Sequence, residues 1–160
     1  MKIVIVGDAG VGKSTFVNRL ITGEFNSTYK PTVGVDVKKI TLNNEVIELW
    51  DVAGEFRGLE NGYFIGADAA IIMFDVMSKS SYLHVYDWHK KIKSVCENIP
   101  IVICGNKIDI IDRVVKSKMI TYPNKHNLQY FDISTKSCYN FDKPLKHITN
   151  KIKNIPRSMI

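Results

Sequence analysis

Residues 7–15, GDAGVGKST, put a lysine and a hydroxyl directly behind a glycine-rich loop in the spacing GxxxxGK[ST], with Gly7, Gly12, Lys13 and Ser14 at the fixed positions. The chemistry of that spacing is anion capture. Glycines let the backbone curl until its N–H groups converge on phosphate oxygens, and the helix that follows adds the positive end of its dipole. The binding run is Asp8, Ala9, Gly10, Val11, Gly12, Lys13, Ser14 and Thr15. In this role Lys13 neutralises the β- and γ-phosphates and the Ser14 hydroxyl ligates Mg²⁺. A glycine-rich turn with a surface lysine is the plainer alternative, and the strand before it and the helix after it weigh against that.

LWDVAG, residues 49–54, adds a second phosphate element. Leu49 and Trp50 close a strand, so Asp51 emerges at its end, where a carboxylate can hold Mg²⁺ through water. Gly54 lets a backbone N–H approach a γ-phosphate. Between the two elements, TYKPTVG offers Tyr29 as a nucleotide contact and Thr32, whose hydroxyl completes the Mg²⁺ shell only with a triphosphate bound. A contact conditional on the third phosphate would order one loop and release it after hydrolysis.

CGNKID and STK supply the chemistry of a base. The Asp109 carboxylate can accept two hydrogen bonds from the N1–H and 2-amino group of guanine, an edge that adenine lacks. Polar groups paired in this way reject a ligand that leaves them unmet. Asn106 and Lys107 belong to the same motif, and the Lys107 stem can cover the ring face. Ser134, Thr135 and Lys136 offer a backbone N–H for the guanine oxygen and a second stem, while Phe25 is a candidate aromatic edge. Alone, NKxD passes for an ordinary turn. In order after the other motifs it points to guanine.

Short apolar runs and helical periodicity alternate along the chain and would carry these groups. KIVIV (2–6) reads as a buried strand, and the segment after Lys13 as a helix closed by Gly23. VDVKKITL and EVIELW flank Asn43 and Asn44, a pair that tolerates positive φ, which predicts an antiparallel hairpin. AAIIMFDV (69–76), IPIVICG (99–105) and LQYFDI (128–133) are the remaining strands. One helix is expected from Ser78 to Glu97. Another starts near Asn140 as N-cap, buries Phe141, Leu145, Ile148 and Ile152, and stops before Pro156. The alternation predicts an α/β fold, a mostly parallel sheet with one antiparallel edge strand, in which ligands sit at the carboxyl ends of the strands. Every polar motif falls there.

Bulk properties narrow the function. With 160 residues the chain is the size of one domain, 1–160, able to bury a core without disulfides or a structural metal. Three cysteines, without CxxC spacing, read as packing residues in a reducing compartment. The net charge of +6 and pI near 9.2 could suggest nucleic acid, but the lysines form short clusters without the interleaved aromatics that stack bases. They read as solvated surface or as a face for an acidic protein, with no nucleic acid as primary ligand. The amino-terminal apolar run is too short for a signal peptide or span, and PRSMI has no cysteine to prenylate. A soluble chain without a membrane anchor is the expectation. A P-loop nucleotide kinase would need an arginine-bearing lid, and the chain has four arginines in all.

These motifs, in this order, resemble the Ras superfamily of small GTPases, a P-loop NTPase fold. TGEF, TYKPTVGVDV, ADAAIIMFDV, DWHKKIKSVCENIPIVICGNKIDI and NLQYFDISTKSCYNFDKP resemble its Ran branch, the nuclear-transport GTPases. The resemblance covers Lys2 to about Ile155. It implies a six-stranded sheet with five helices, a monomer exchanging GTP and GDP with Mg²⁺, and location in nucleus and cytoplasm. Its implied partners are importin- and exportin-type receptors, a Ran-type GTPase-activating protein and an exchange factor. Lys13, Thr32 and the residue after Gly54 would carry catalysis.

Three departures qualify that expectation. Small GTPases usually read DxAGQE, whereas Gly54 here is followed by Glu55 and Phe56, and the stretch to GYFI is two residues shorter than in the Ran branch. Either Glu55 occupies the glutamine position or it neighbours a deleted one. The only glutamine is Gln129, so no realignment restores the amide. Glutamine orients water by donating and accepting; an ionised Glu55 only accepts and sits beside a γ-phosphate of like sign, although a protonatable Glu55 could serve as a base. Slow hydrolysis with retained GTP binding is expected, or a GTP-held module that competes with Ran for receptors. Ala9 stands where the branch has glycine, and the branch's acidic carboxyl-terminal tail is missing from the sequence.

Overall fold

The computed structural model of the chain describes residues 1–55 and 60–155. Six strands, β1 (Lys2–Val6), β2 (Val35–Leu42), β3 (Glu45–Val52), β4 (Ala69–Asp75), β5 (Ile101–Asn106) and β6 (Gln129–Asp132), form one sheet in the order β2-β3-β1-β4-β5-β6. The β2–β3 pair is antiparallel and all other pairs are parallel. Among the described residues the helices are α1 (Lys13–Thr22), α2 (Glu60–Phe64), α3 (Lys79–Leu83), α4 (Val85–Val95), α5 (Tyr122–Lys125) and α6 (Lys143–Lys153), with a 3₁₀ turn at Ser117–Met119. The α/β architecture expected from the alternating pattern is the one observed.

Central strands are apolar on both faces because helices cover both. Val4 and Val6 of β1 point into a core with Phe64, Phe74 and Trp88, whereas Ile3 and Ile5 point into a second core with Phe16, Leu145 and Ile148. That two-sided burial makes β1 and β4 unbroken hydrophobic runs. The edge strand β2 instead alternates half-buried and exposed positions along much of its length. Asn43 and Asn44 both take positive φ, 51° and 65°, and turn β2 into β3 as their pair predicts.

Helix boundaries depart from the sequence pattern in two places. The helix expected from Ser78 to Glu97 divides at His84, although Trp88 N–H still donates to His84 C=O, so the hydrogen-bond ladder continues through the junction. The carboxyl-terminal helix is capped by Asp142, not Asn140. Asn140 takes φ 51° and its amide ties back to the Asp132 carbonyl at 3.0 Å, while Pro144 sits in the first helical turn, where its missing N–H costs nothing. Phe141 therefore precedes the helix and packs edge-on against Phe16 at 5.2 Å. The short helices α2 and α5 arise where the apolar pattern is too brief to announce a helix. No helix among the described residues is long and apolar enough to cross a membrane.

Candidate nucleotide-binding site

The loops leaving β1, β3, β5 and β6, together with the loop between α1 and β2, enclose a cleft of about 490 Å³, within the range of small-molecule sites. Its phosphate end is built on close backbone approach. A Cβ on Gly7 would lie 2.1 Å from the Met73 carbonyl oxygen, and one on Gly54 would lie 2.1 Å from the Ala9 nitrogen. Glycine is the residue that lets β4 and the Asp51–Gly54 segment press against the loop. Ala9, Gly10, Gly12 and Thr15 line the cleft. Asp8 and Val11 do not contribute their side chains: Val11 is 1% exposed within the second core, and the Asp8 carboxylate turns outward to His84 and Trp88. The curl of the loop turns these two side chains away from the cleft.

Lys13 is buried at the floor of the cleft. Its ammonium donates to the carbonyls of Gly7 at 2.8 Å and Asp8 at 2.9 Å. An ammonium has three donors, and two here close the loop on itself. Burial lowers the Lys13 pKa to about 8 against the opposing pull of Asp51 and Asp8. A polyphosphate would supply the negative charge this lysine lacks.

Ser14, Thr32 and Asp51 converge although 37 residues separate the first from the last. The Ser14 hydroxyl donates to Asp51 Oδ2 and lies 2.9 Å from Thr32 Oγ1, which is 3.4 Å from the same carboxylate oxygen. Asp51 Oδ1 is buried without a hydrogen-bond partner. Burial raises the Asp51 pKa, opposed by the Ser14 hydrogen bond and Lys13. An orphaned carboxylate oxygen beside two hydroxyls is an all-oxygen donor set suited to a hard divalent ion that shares its shell with phosphate and water. These three residues would hold Mg²⁺. When bound, the ion would neutralise charge shared between phosphate and carboxylate.

The base end is organised by internal hydrogen bonds. Ser134, fully buried, donates its hydroxyl to Asp109 Oδ1 at 2.8 Å and so orients the carboxylate. Asn106 is 2% exposed. Its Nδ2 donates to the Val11 carbonyl at 3.0 Å and its Oδ1 accepts from Thr135 N–H at 3.2 Å, so it stitches the phosphate loop to STK. Lys107, at φ 70°, reaches the Gly10 carbonyl at 2.8 Å and Asp75 at 2.9 Å. Thr135, Lys136, Phe25 and Tyr29 line the cleft.

A model of the Ras family matches residues 2–154. The chain belongs to the Ras family. It is a small GTPase, a molecular switch of a family that binds GTP and GDP, typically with Mg²⁺.

Within this Ras-family site, Thr32 sits beside Ser14 and Asp51, the position from which a loop can close on a metal-bound triphosphate. Glu55 is exposed and lines the cleft next to Gly54. The shortened stretch that follows it falls on residues 56–59, outside the described residues, as does PRSMI at 156–160. Two elements of this GTPase escaped the sequence reading. Arg19, in the last turn of α1, donates to the carbonyls of Thr135 at 2.6 Å and Lys136 at 2.7 Å and lies 5.9 Å from the centre of the Phe25 ring. The His84–Trp88 contact with Asp8 is the other. A basic residue near a helix carboxyl end was the only signal for Arg19, and that position is common for reasons of the helix dipole alone.

Proposed function

We propose that this Ras-family protein is a Ran-like switch of nucleocytoplasmic transport with slow GTP hydrolysis. In its GTP form it engages importin- and exportin-type receptors, and its regulators are a Ran-type activating protein and exchange factor. It acts as a monomer in nucleus and cytoplasm. The branch assignment is supported by the quoted sequence stretches, which extend beyond the nucleotide motifs. Slow hydrolysis is supported by one observation above the others: the residue lining the cleft after Gly54 is Glu55, whose carboxylate accepts but does not donate when ionised. Water held only by acceptors is poorly aimed, and the like charge near the γ-phosphate raises the cost of the transition state.

Single-turnover hydrolysis of loaded GTP, with and without a Ran-type activating protein, tests the rate. The expected result is slow turnover in both and a gain of at least tenfold for Glu55→Gln, about 1.4 kcal/mol of barrier. A normal activated rate in the unaltered protein would remove the defect from the account. The same Glu55 observation favours a second reading, a GTP-held module that occupies receptors in competition with Ran. GTP copurifying with the protein would support that module, and GDP the working switch. Binding of a purified importin-type receptor to GTP-loaded but not GDP-loaded protein tests the transport role.

A further inference from the structure

Asp8 poses an electrostatic problem. It places a carboxylate in the loop that must receive a polyphosphate of the same sign, and the loop's N–H groups suit either anion. The fold resolves this by turning the side chain outward. Asp8 Oδ2 lies 2.5 Å from His84 Nδ1, and Oδ1 accepts from Trp88 Nε1 at 3.0 Å. A carboxylate has no proton to give, so His84 must carry its proton on Nδ1. Trp88 is fully buried and therefore fixed in place, while His84 occupies the junction at which α3 and α4 divide.

The same residue is bound on its other side. The Asp8 carbonyl accepts from the Lys13 ammonium at 2.9 Å. Side chain and main chain of Asp8 are thus tied in opposite directions, one to the helix junction and one to the buried lysine of the phosphate site. We propose that His84 and Trp88 are positioning residues for nucleotide binding: they hold the Asp8 carboxylate out of the cleft and, through the Asp8 carbonyl, set the place of Lys13. Neither residue lines the cleft. The sequence interval of 76 residues between His84 and Asp8 hides the pair from any motif.

The inference rests on nucleotide binding in the cleft and is independent of a transport role or of the hydrolysis rate. The test is the release rate of fluorescent GDP and GTP from full-length protein. His84 has a side chain 45% exposed, so His84→Ala leaves the core intact. It should speed release of both nucleotides about tenfold, the scale of one hydrogen bond to a charged group. His84→Asn returns an N–H at the same distance along the side chain as Nδ1 and should restore release to within about threefold of the unaltered protein. In an Asp8→Ala background, adding His84→Ala should change nothing further, because the carboxylate to be held is gone. Unaltered release in His84→Ala, no rescue by asparagine, or additive effects in the double variant would each overturn the latch. Unaltered protein that retains neither nucleotide would overturn the latch and the nucleotide site together.

Discussion

The two ends of the cleft are built on opposite principles. At the phosphate end, buried groups are left with unmet demands: Lys13 has its pKa pulled down to about 8, and Asp51 keeps an oxygen without a partner. At the base end, the corresponding groups are satisfied by the protein. Asn106 bonds to Val11 and Thr135, Ser134 to Asp109, and Arg19 to two carbonyls of the STK segment. The difference divides the labour of recognition. An end that gains its missing partners from ligand and metal supplies affinity, whereas an end already fixed in shape supplies discrimination, because a wrong base leaves paired groups unmet.

The contrast breaks most sharply at Lys13. Lys13→Ala should weaken GDP and GTP alike by about a hundredfold or more, as hydrogen bonds to charged groups contribute roughly 1.5–3 kcal/mol each, measured by calorimetric titration. A loss below tenfold would mean that the lysine only closes the loop. Removing Mg²⁺ with a chelator should speed nucleotide release, and Asp51→Asn should blunt that response; a full response in the variant would place the metal elsewhere.

The base end is sharpened by Asp109→Ala. It should lower GTP affinity by roughly ten- to a hundredfold and erase the preference for GTP over the analogue lacking the 2-amino group, the cost of unmet hydrogen bonds being about 1–3 kcal/mol. Competition binding of the two nucleotides reads this directly. Retained preference would show that the carboxylate is not the guanine reader.

Acidity offers a third handle, and its sign differs for binding and for folding. In the nucleotide-free protein Lys13 is charged below about pH 8 and neutral above it. Phosphate binds the charged form, so affinity should be full below that pH and fall as pH rises through it, by about tenfold between pH 7 and 9. The unfolded lysine keeps its proton to its ordinary value of 10.5. Between these two values the folded state binds fewer protons, so this group's contribution to the stability of the empty fold rises with pH. A binding constant flat from pH 7 to 9 would contradict the buried, desolvated lysine. The smallest expected effect belongs to Arg19→Ala, which loosens the STK segment from outside the cleft: GDP release should quicken by roughly fivefold, about 1 kcal/mol. Unchanged release would reduce Arg19 to a surface contact.

Much of this was legible before any fold was known. Gly7, Lys13, Ser14, Asp51 and Asp109 announce themselves through spacing, because a phosphate or a base edge has fixed dimensions and the loop that meets it has little freedom. Asn43 and Asn44 mark the hairpin for a similar local reason, the positive φ of a two-residue turn. Arg19 shows the limit. Its partner Thr135 lies 116 residues away, and nothing local distinguishes it from an arginine that merely ends a helix. NKxD and STK name Asn106 and Ser134 but not the Val11, Thr135 and Asp109 groups they bond, since a motif records which residues gather and not which way each side chain turns.

The linear order of residues determined the chemistry on offer: phosphate capture, a hard-cation donor set, a guanine reader, and the missing amide after Gly54. Those are properties of side-chain type and short spacing. Tertiary structure alone decided that the Asp8 carboxylate turns to His84 and Trp88, that Arg19 serves the base end, and that one oxygen of Asp51 is stranded. Each depends on packing between segments far apart in the chain, where distance and burial arise only when the sheet brings its strand ends together.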